Sequence, residues 1–178
     1  NADDDSLSVV DARTLVPTTT VATAAMPHGI RPSPLGGSAL VAAMGGGVVE
    51  VIDVSGPAAT ARIEVGAGPV QVAYAPDGRT AYATLGGAGA VVKIDLATRR
   101  VVGRVEVDPR PVQLAVTPDG ALLVVASQGT QAAPGDTVAL IGTDSMRIEN
   151  VIATGAGPHG VAIDPSGRQA FVTDVWAG

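Results

Sequence analysis

A turn-and-strand pattern that recurs four times constrains the fold of this chain more than any other feature of its sequence. Each copy opens on a proline, at Pro27, Pro69, Pro111 and Pro158. A second proline and then a glycine follow at fixed spacing: Pro34–Gly36, Pro76–Gly78, Pro118–Gly120 and Pro165–Gly167. A large apolar residue comes four positions later, at Leu40, Tyr82, Val124 and Phe171. Self-similarity every ~40–50 residues indicates a protein built from stacked supersecondary units.

The spacing of the opening prolines defines the units. Units 27–68, 69–110 and 111–157 have 42, 42 and 47 residues. Each contains a second apolar block: VVEVID ending at Asp53, VVKID ending at Asp95 and TVALIG ending at Gly142. The fourth such block, LSVVD, ends at Asp11, at the other end of the sequence. Segments 158–178 and 1–26 therefore supply the parts of a fourth, split unit.

Each unit predicts four short strands. The apolar runs are too short for helices, and the 23 glycines and 13 prolines stand between them as turn residues. In turns such as APDGR at 75–79, Pro presets φ, Asp offers an acceptor to the backbone, and Gly tolerates positive φ. Repeated units of four antiparallel strands predict an all-β protein, a β-propeller with four blade equivalents. Because one blade cannot bury both of its faces, neighbouring blades must stack.

Composition excludes several classes of function. The net charge is −6 and the only cationic cluster is Arg99-Arg100, which argues against nucleic acid or an anionic membrane as the main partner. No apolar run reaches the ~18 residues of a membrane-spanning helix without Gly, Pro or a charge. The chain has no cysteine, so disulfides, thiol catalysis and cysteine-ligated zinc sites are excluded.

Two stretches carry the repeat in its fullest form, PHGVAIDPSGRQAFVTD at 158–174 and the unit 69–110. Their order of proline, apolar strand, Pro-x-Gly-Arg turn and aromatic-Val-Thr strand resembles the YVTN-type β-propeller repeat family, and the likeness covers essentially the whole chain. The resemblance implies a bacterial or archaeal protein that is extracytoplasmic: periplasmic, secreted or associated with a surface layer. Related propellers include the large subunit of amine dehydrogenases, the haem domain of a periplasmic nitrite reductase, and lactonases. Most members are not enzymes with known chemistry.

Four units fall short of the six to eight blades usual in propellers, and three arrangements are open. In a closed four-bladed ring, strands from 158–174 and from 7–24 jointly form the last blade and hide both sheet edges. Alternatively, two chains assemble one eight-bladed ring as a homodimer. In the third arrangement, the chain associates with further blades of a longer propeller.

Two histidines are the first candidate site. His28 and His159 occupy the same repeat position, directly after the opening proline, where the other units have Val70 and Val112. In a closed four-bladed ring they lie in adjacent blades at the mouth of the channel, where imidazoles can bind a divalent metal or an anion. A metal site of two histidines is incomplete without a third ligand. The competing interpretation is that Pro-His-Gly is a loop variant of the family.

The extra five residues of the third unit form the second candidate. They fall in SQGTQAAPGD at 127–136, which contains Gln131 and Asp136, and extended loops on a rigid scaffold often bind ligands. A tolerated surface insertion explains them equally well. Trp176, the only tryptophan, lies in the equivalent loop of the split unit, as a partner anchor or as a cap on the core. Asp11, Asp53 and Asp95 recur at one position and are interpreted as structural residues that close the next turn.

No pattern predicts catalytic residues, since the sequence has no Gly-x-Ser-x-Gly, no P-loop and no dinucleotide-binding motif. The leading hypothesis is a non-catalytic extracytoplasmic scaffold without a cofactor, which binds a small ligand or a protein on the face that carries the interblade loops. The alternative is a portion of a redox or hydrolytic enzyme whose chemistry lies on a partner subunit or on other blades. A purely structural surface-layer repeat is the third hypothesis, and fold alone does not decide among them.

Overall fold

The computed structural model describes residues 1–56 and 58–177, which form short strands joined by tight turns. A 3-10 turn at Ala2–Asp4 precedes the first antiparallel pair, β1 (Ser6–Val10) and β2 (Pro17–Ala22). Sheet A then contains β3 (Pro27–Pro32), β4 (Ser38–Ala43), β5 (Val48–Asp53) and β6 (Ala58–Glu64). Sheet B contains β7 (Pro69–Tyr74), β8 (Thr80–Leu85), β9 (Ala90–Asp95) and β10 (Arg100–Glu106).

The pattern repeats once more before the chain ends on a second pair. Sheet C contains β11 (Pro111–Val116), β12 (Leu122–Gly129), β13 (Pro134–Gly142) and β14 (Arg147–Ala153). The last pair is β15 (Pro158–Ile163) and β16 (Ala170–Asp174). Within each sheet the strands are antiparallel neighbours in chain order. The predicted all-β class and the predicted four-stranded antiparallel sheets are thus confirmed.

The sheets form an open row. β3 contacts β7, β7 contacts β11 and β11 contacts β15, so the first strands of successive sheets are neighbours. The pair β1–β2 packs at one end of the row and the pair β15–β16 at the other, as two separate two-stranded sheets. The joint blade of the four-bladed arrangement is therefore not formed, since no strand pairing joins β1–β2 to β15–β16 in the described part of the chain.

Apolar clusters between adjacent sheets hold the row together. Leu40 of sheet A packs with Val72 of sheet B, Tyr82 of sheet B with Leu114 of sheet C, and Val124 of sheet C with Val161 of the last pair, as the cluster memberships show. The central strands β4 and β8 are buried over almost their whole length, whereas β14 is exposed throughout. Strands covered on both faces run apolar instead of alternating, which explains the continuous apolar blocks of the sequence.

Aspartates fix the turns, as predicted for Asp11, Asp53 and Asp95. Each carboxylate accepts hydrogen bonds from the turn that follows its strand: Asp11 from the N–H groups of Arg13 and Thr14, Asp53 from Ser55, and Asp95 from Thr98. The same use of a carboxylate recurs in the first turn of later units, where Asp77 accepts from the N–H of Arg79 and Asp164 from the N–H of Arg168. The recurring aspartates are therefore structural residues.

Candidate functional site

A pocket of about 610 Å³ opens where the first strands of the sheets begin. Its wall contains the four residues that follow the opening prolines: His28, Val70, Val112 and His159. We call it the histidine pocket. The sequence predicted that the two histidines approach one another if a four-bladed ring closes. The structure brings both to one pocket without closure, because successive first strands converge, and two valines separate them along the wall.

Arg110 and Gln128 also line the histidine pocket, and sequence reasoning missed both. Arg110 precedes the opening proline Pro111 and has a left-handed backbone with φ 57°. The equivalent positions are Met26, Gly68 and Gly157, which are left-handed as well. A non-glycine residue rarely adopts this conformation without a compensating contact or role. The signal available in the sequence was the single arginine in a repeat column that otherwise holds glycine or methionine.

His28 has a defined orientation in the pocket wall. Its Nδ1 lies 3.0 Å from the carbonyl oxygen of Val70 in the next sheet. A carbonyl oxygen only accepts, so Nδ1 carries the hydrogen and Nε2 is left as the acceptor of a neutral ring or a second donor of a charged ring. His159, half-buried, holds the same repeat position at the end of the row.

The glycine of the Pro-His-Gly sequence has a packing reason. A Cβ atom on Gly29 would lie 2.6 Å from the carbonyl oxygen of Val70 and 2.7 Å from Cα of Gln71. The buried Gln71 fills this space, and its Nε2 donates to Oε1 of Gln113 at 3.2 Å. Gly29 thus lets sheet A approach sheet B closely, while His28 remains exposed at the pocket.

The charges around the histidine pocket are of one kind. Arg110 and the two histidines are the titratable residues of its wall, and no carboxylate lines it. Among the described residues, no carboxylate oxygen lies within 4.0 Å of the Arg110 guanidinium. No group of three or more His, Asp or Glu in the described part of the chain is placed to hold a metal ion. The pocket is therefore a local cationic site on a protein whose net charge is −6.

The residues Gln131 and Asp136 lie outside this pocket. The segment 127–136, expected to be an extended loop, is mostly strand: β12 continues to Gly129 and β13 begins at Pro134. Thr130 and Ala133 exchange two backbone hydrogen bonds of 2.9 and 3.1 Å at the tip. The insertion therefore lengthens a hairpin, because extended residues on both sides satisfy each other's backbone groups. Gln131 and Asp136 are both exposed.

Trp176 caps a loop next to the pocket. A Cβ atom on Gly157 would lie 2.9 Å from Cζ3 of the indole, so the ring rests directly on the glycine backbone. The backbone N–H of Trp176 donates to the carbonyl oxygen of Ala156 at 3.0 Å. Since Gly157 precedes Pro158 and His159, the half-buried indole supports the loop that positions His159. The indole thus contacts a loop of its own chain, and none of the apolar clusters formed by the described residues includes it.

Many solved structures are similar to this chain, and one of them is compared with it here. No family model matches the sequence, and no curated protein sequence matches it. Among solved structures, hydrazine synthase from Kuenenia stuttgartiensis superposes with a TM-score of 0.89 and 28% sequence identity. The alignment covers 97% of this chain and 50% of that chain, so this chain spans half the length of its neighbour. The two share an all-β, propeller-like arrangement of antiparallel sheets.

One further result concerns membranes. No helix in the described part of the chain is long and apolar enough to cross one.

Proposed function

We propose that this chain is an arc of a YVTN-type β-propeller that serves as a non-catalytic, extracytoplasmic binding scaffold, with a small anion as the ligand of the histidine pocket. The observation that carries the proposal is the pocket itself, which gathers Arg110, His28 and His159 without a carboxylate. The sequence resemblance to the YVTN family supports the extracytoplasmic location.

The donors of the pocket suit a carboxylate or phosphate group. An arginine guanidinium presents parallel N–H groups that match two oxygens of such an anion. Gln128 adds an amide donor, and His28 presents Nε2 because its Nδ1 is engaged with Val70. A protonated imidazole donates from both ring nitrogens and adds positive charge to the pocket. For a divalent cation the pocket offers two histidines, and no third His, Asp or Glu ligand lies close to them among the described residues. The pocket therefore suits an anion better than a metal ion.

Inorganic phosphate is the probe that tests this proposal, and proton NMR is the readout. The chain has only two histidines, so their ring Cε1–H signals are simple to resolve. We expect both signals to shift saturably with phosphate at pH 6 and not with chloride at equal ionic strength. Arg110→Gln should weaken phosphate binding at least about tenfold, because it removes charge-assisted hydrogen bonds.

Arg147→Gln is the matched control. Arg147 is exposed on β14, away from the pocket, and its replacement changes the net charge by the same amount. It should leave the phosphate affinity almost unchanged. Equal losses in the two variants would mean that phosphate responds only to net charge, and an absence of saturable shifts would reject the pocket as an anion site.

A second function is favoured by the structural match. The neighbour is named hydrazine synthase, an enzyme, which agrees in kind with a propeller portion of a larger redox or hydrolytic protein. In this alternative, the catalytic residues lie on other blades or on a partner subunit. The histidine pocket then binds a substrate or a group of that partner subunit. Stoichiometric metal, haem absorbance or quinone absorbance in the purified chain, or activity that depends on such a group, would support it. A colourless, metal-free chain that binds phosphate as described above supports the scaffold instead.

A further inference from the structure

An apolar stretch of wall accompanies the polar groups of the histidine pocket. Val70 and Val112 hold the repeat position that is histidine in the first and last units, and the thioether side chain of Met44 lies on the same wall. Val70 and Met44 are half-buried, and Val112 is 8% exposed. We call these three side chains the apolar patch. Small-molecule sites combine such apolar walls with a few polar groups that fix the orientation of the ligand.

The backbone carbonyl groups of the apolar patch already have partners within the protein. The carbonyl oxygen of Val70 lies 3.0 Å from Nδ1 of His28 and accepts from it, and that of Val112 accepts from the hydroxyl of Thr84 at 2.9 Å. A sugar or another polyhydroxylated ligand needs many donors and acceptors along its whole length, and this part of the wall offers side-chain methyl and thioether groups instead. The patch therefore suits an apolar body.

Two of the anion-binding groups lie close to this patch on sheet C. Arg110 directly precedes β11, and Gln128 lies near the end of β12. The N–H of Gln128 donates to the carbonyl oxygen of Arg110 at 3.1 Å, so the guanidinium and the side-chain amide start from adjacent backbone positions. Val112 follows Arg110 after a single residue. A cationic group beside an apolar wall matches a ligand with the same division, an anionic group on an apolar body.

The size of the pocket agrees with such a ligand. Its volume is about 610 Å³, within the range of ~300–1,000 Å³ that is typical of sites for small organic molecules. A single phosphate or acetate ion held by Arg110 occupies only a small part of this space. The remainder is available to a ligand body that contacts Val70 and Met44 on the neighbouring wall.

We infer that the ligand of the histidine pocket is an organic carboxylate with an apolar body. Its carboxylate binds to Arg110 and Gln128, and its body covers the apolar patch. The inference rests on the proposed function, because it takes the anion site as given and adds the chemical class of the ligand. The residues that carry it belong to sheets A, B and C or to the loops between them, and none belongs to the pairs β1–β2 and β15–β16.

A series of carboxylates of increasing chain length tests the inference. Acetate, butyrate and hexanoate carry the same anionic group and differ in apolar surface. Because burial of one methylene group raises affinity about fourfold, we expect hexanoate to bind at least about tenfold more tightly than acetate. The histidine ring signals at pH 6 give the affinities. The S-methyl signal of Met44, one of three methionines and assigned with Met44→Leu, should shift with hexanoate and not with acetate.

Val70→Thr separates the contribution of the body from that of the carboxylate, because threonine keeps the shape of valine and adds a hydroxyl group to the wall. We expect it to weaken hexanoate binding at least about threefold and to leave acetate binding unchanged. Arg110→Gln should weaken the binding of both acids alike. Val102→Thr is the matched control, since Val102 is 58% exposed on β10 and outside the pocket, and it should not change hexanoate binding. Circular dichroism checks that each variant is folded, and the chain-length series on the wild-type chain decides if Val70→Thr is not.

The outcomes separate this inference from the proposed function. Equal affinities for acetate and hexanoate, or binding of phosphate without binding of carboxylates, would overturn the inference and leave the anion site in place. Equal binding of hexanoate and 1-hexanol would overturn it as well, because the carboxylate would then contribute nothing. Equal losses in Val70→Thr and Val102→Thr would contradict the assignment of the body to the apolar patch. If neither phosphate nor any carboxylate shifts the histidine signals saturably, the proposed function and the inference both fail.

Discussion

Thr84 in β8 donates its hydroxyl hydrogen to the carbonyl oxygen of Val112 in the next sheet, at 2.9 Å, in a fully buried position. Replacement by valine keeps the shape but leaves two buried backbone groups, the carbonyl of Val112 and the N–H of Gln71, without this partner. We expect Thr84→Val to lower the free energy of unfolding by about 1–3 kcal/mol, measured by urea denaturation. Thr173→Val is the control at the equivalent, exposed position of β16, and its cost should be smaller. Equal costs would mean that the contact between sheets is not the reason.

Gly29 is a point of close approach between sheets A and B. The atoms that a Cβ would meet include backbone atoms of Val70 and Gln71 at 2.6 and 2.7 Å, which cannot move without displacing β7. We expect Gly29→Ala to lower the free energy of unfolding by about 1–3 kcal/mol through overpacking. Gly56→Ala, where no heavy atom lies within 4 Å of the new Cβ, should change it by less than about 0.5 kcal/mol. If the two variants are equally stable, the sheets are packed less closely than described.

Glu50 is a buried carboxylate that pairs with the exposed Arg62 and connects sheet A to the segment after β2. Its side chain is 0% exposed, Oε1 lies 2.8 Å from Nε of Arg62, and Oε2 accepts from the N–H of Ala24 at 2.9 Å. Arg62→Ala removes the counter-charge and leaves the buried carboxylate with that one partner. We expect a loss of about 1–3 kcal/mol in the free energy of unfolding, limited by the 60% exposure of the arginine side chain.

The pair Arg104–Glu106 provides the comparison for this prediction. Its Nε–Oε1 distance of 2.7 Å is as short, but both side chains are exposed, 43% and 67%. Arg104→Ala should therefore change the free energy of unfolding by less than about 1 kcal/mol, since solvent screens such pairs. A larger effect at Arg104 than at Arg62 would contradict the importance of burial here.

The turn aspartates predict a loss of stability in acid. Hydrogen bonds from the backbone N–H and then the hydroxyl of Thr98 lower the pKa of Asp95 below 3.8, and the Ser166 hydroxyl followed by the N–H of Gln169 lowers that of Asp164. A carboxyl with a lowered pKa in the folded state stabilises the protein fully above its unfolded pKa, and this contribution is lost as the pH falls through the folded pKa.

Thermal unfolding between pH 6 and pH 2.5 measures this effect. We expect the melting temperature to fall below about pH 4. Asp95→Asn should reduce the steepness of the fall, because it removes one group that takes up a proton on unfolding. Identical acid profiles for Asp95→Asn and the wild type would refute the role assigned to the turn.

Several features of the site were accessible from sequence because they depend on repeat position alone. His28 and His159 were predicted to lie in adjacent blades of a closed four-bladed ring. Both line the same pocket in an open row, together with Val70 and Val112. Arg110 was not predicted as a site residue. It lies in a loop before a strand, and the sequence does not show which side chains of neighbouring sheets lie close to such a loop. The 127–136 hairpin was mistaken for an open loop, since its Gly, Ala and Pro content resembles a linker and only strand pairing shows otherwise.

The sequence by itself determined the local order of this protein. Proline and glycine at fixed spacing define where strands end, and apolar blocks define which strands are covered on both faces, because these preferences act within a few residues. Only the tertiary structure decided how the units meet. The separation of β1–β2 from β15–β16, the gathering of Arg110 with the histidines, and the contrast between buried Tyr82 and exposed Phe171 arise from packing between distant segments. Units with the same repeat pattern have the same local preferences for strands and turns. The packing around equivalent residues differs because some units lie inside the row and others at its ends.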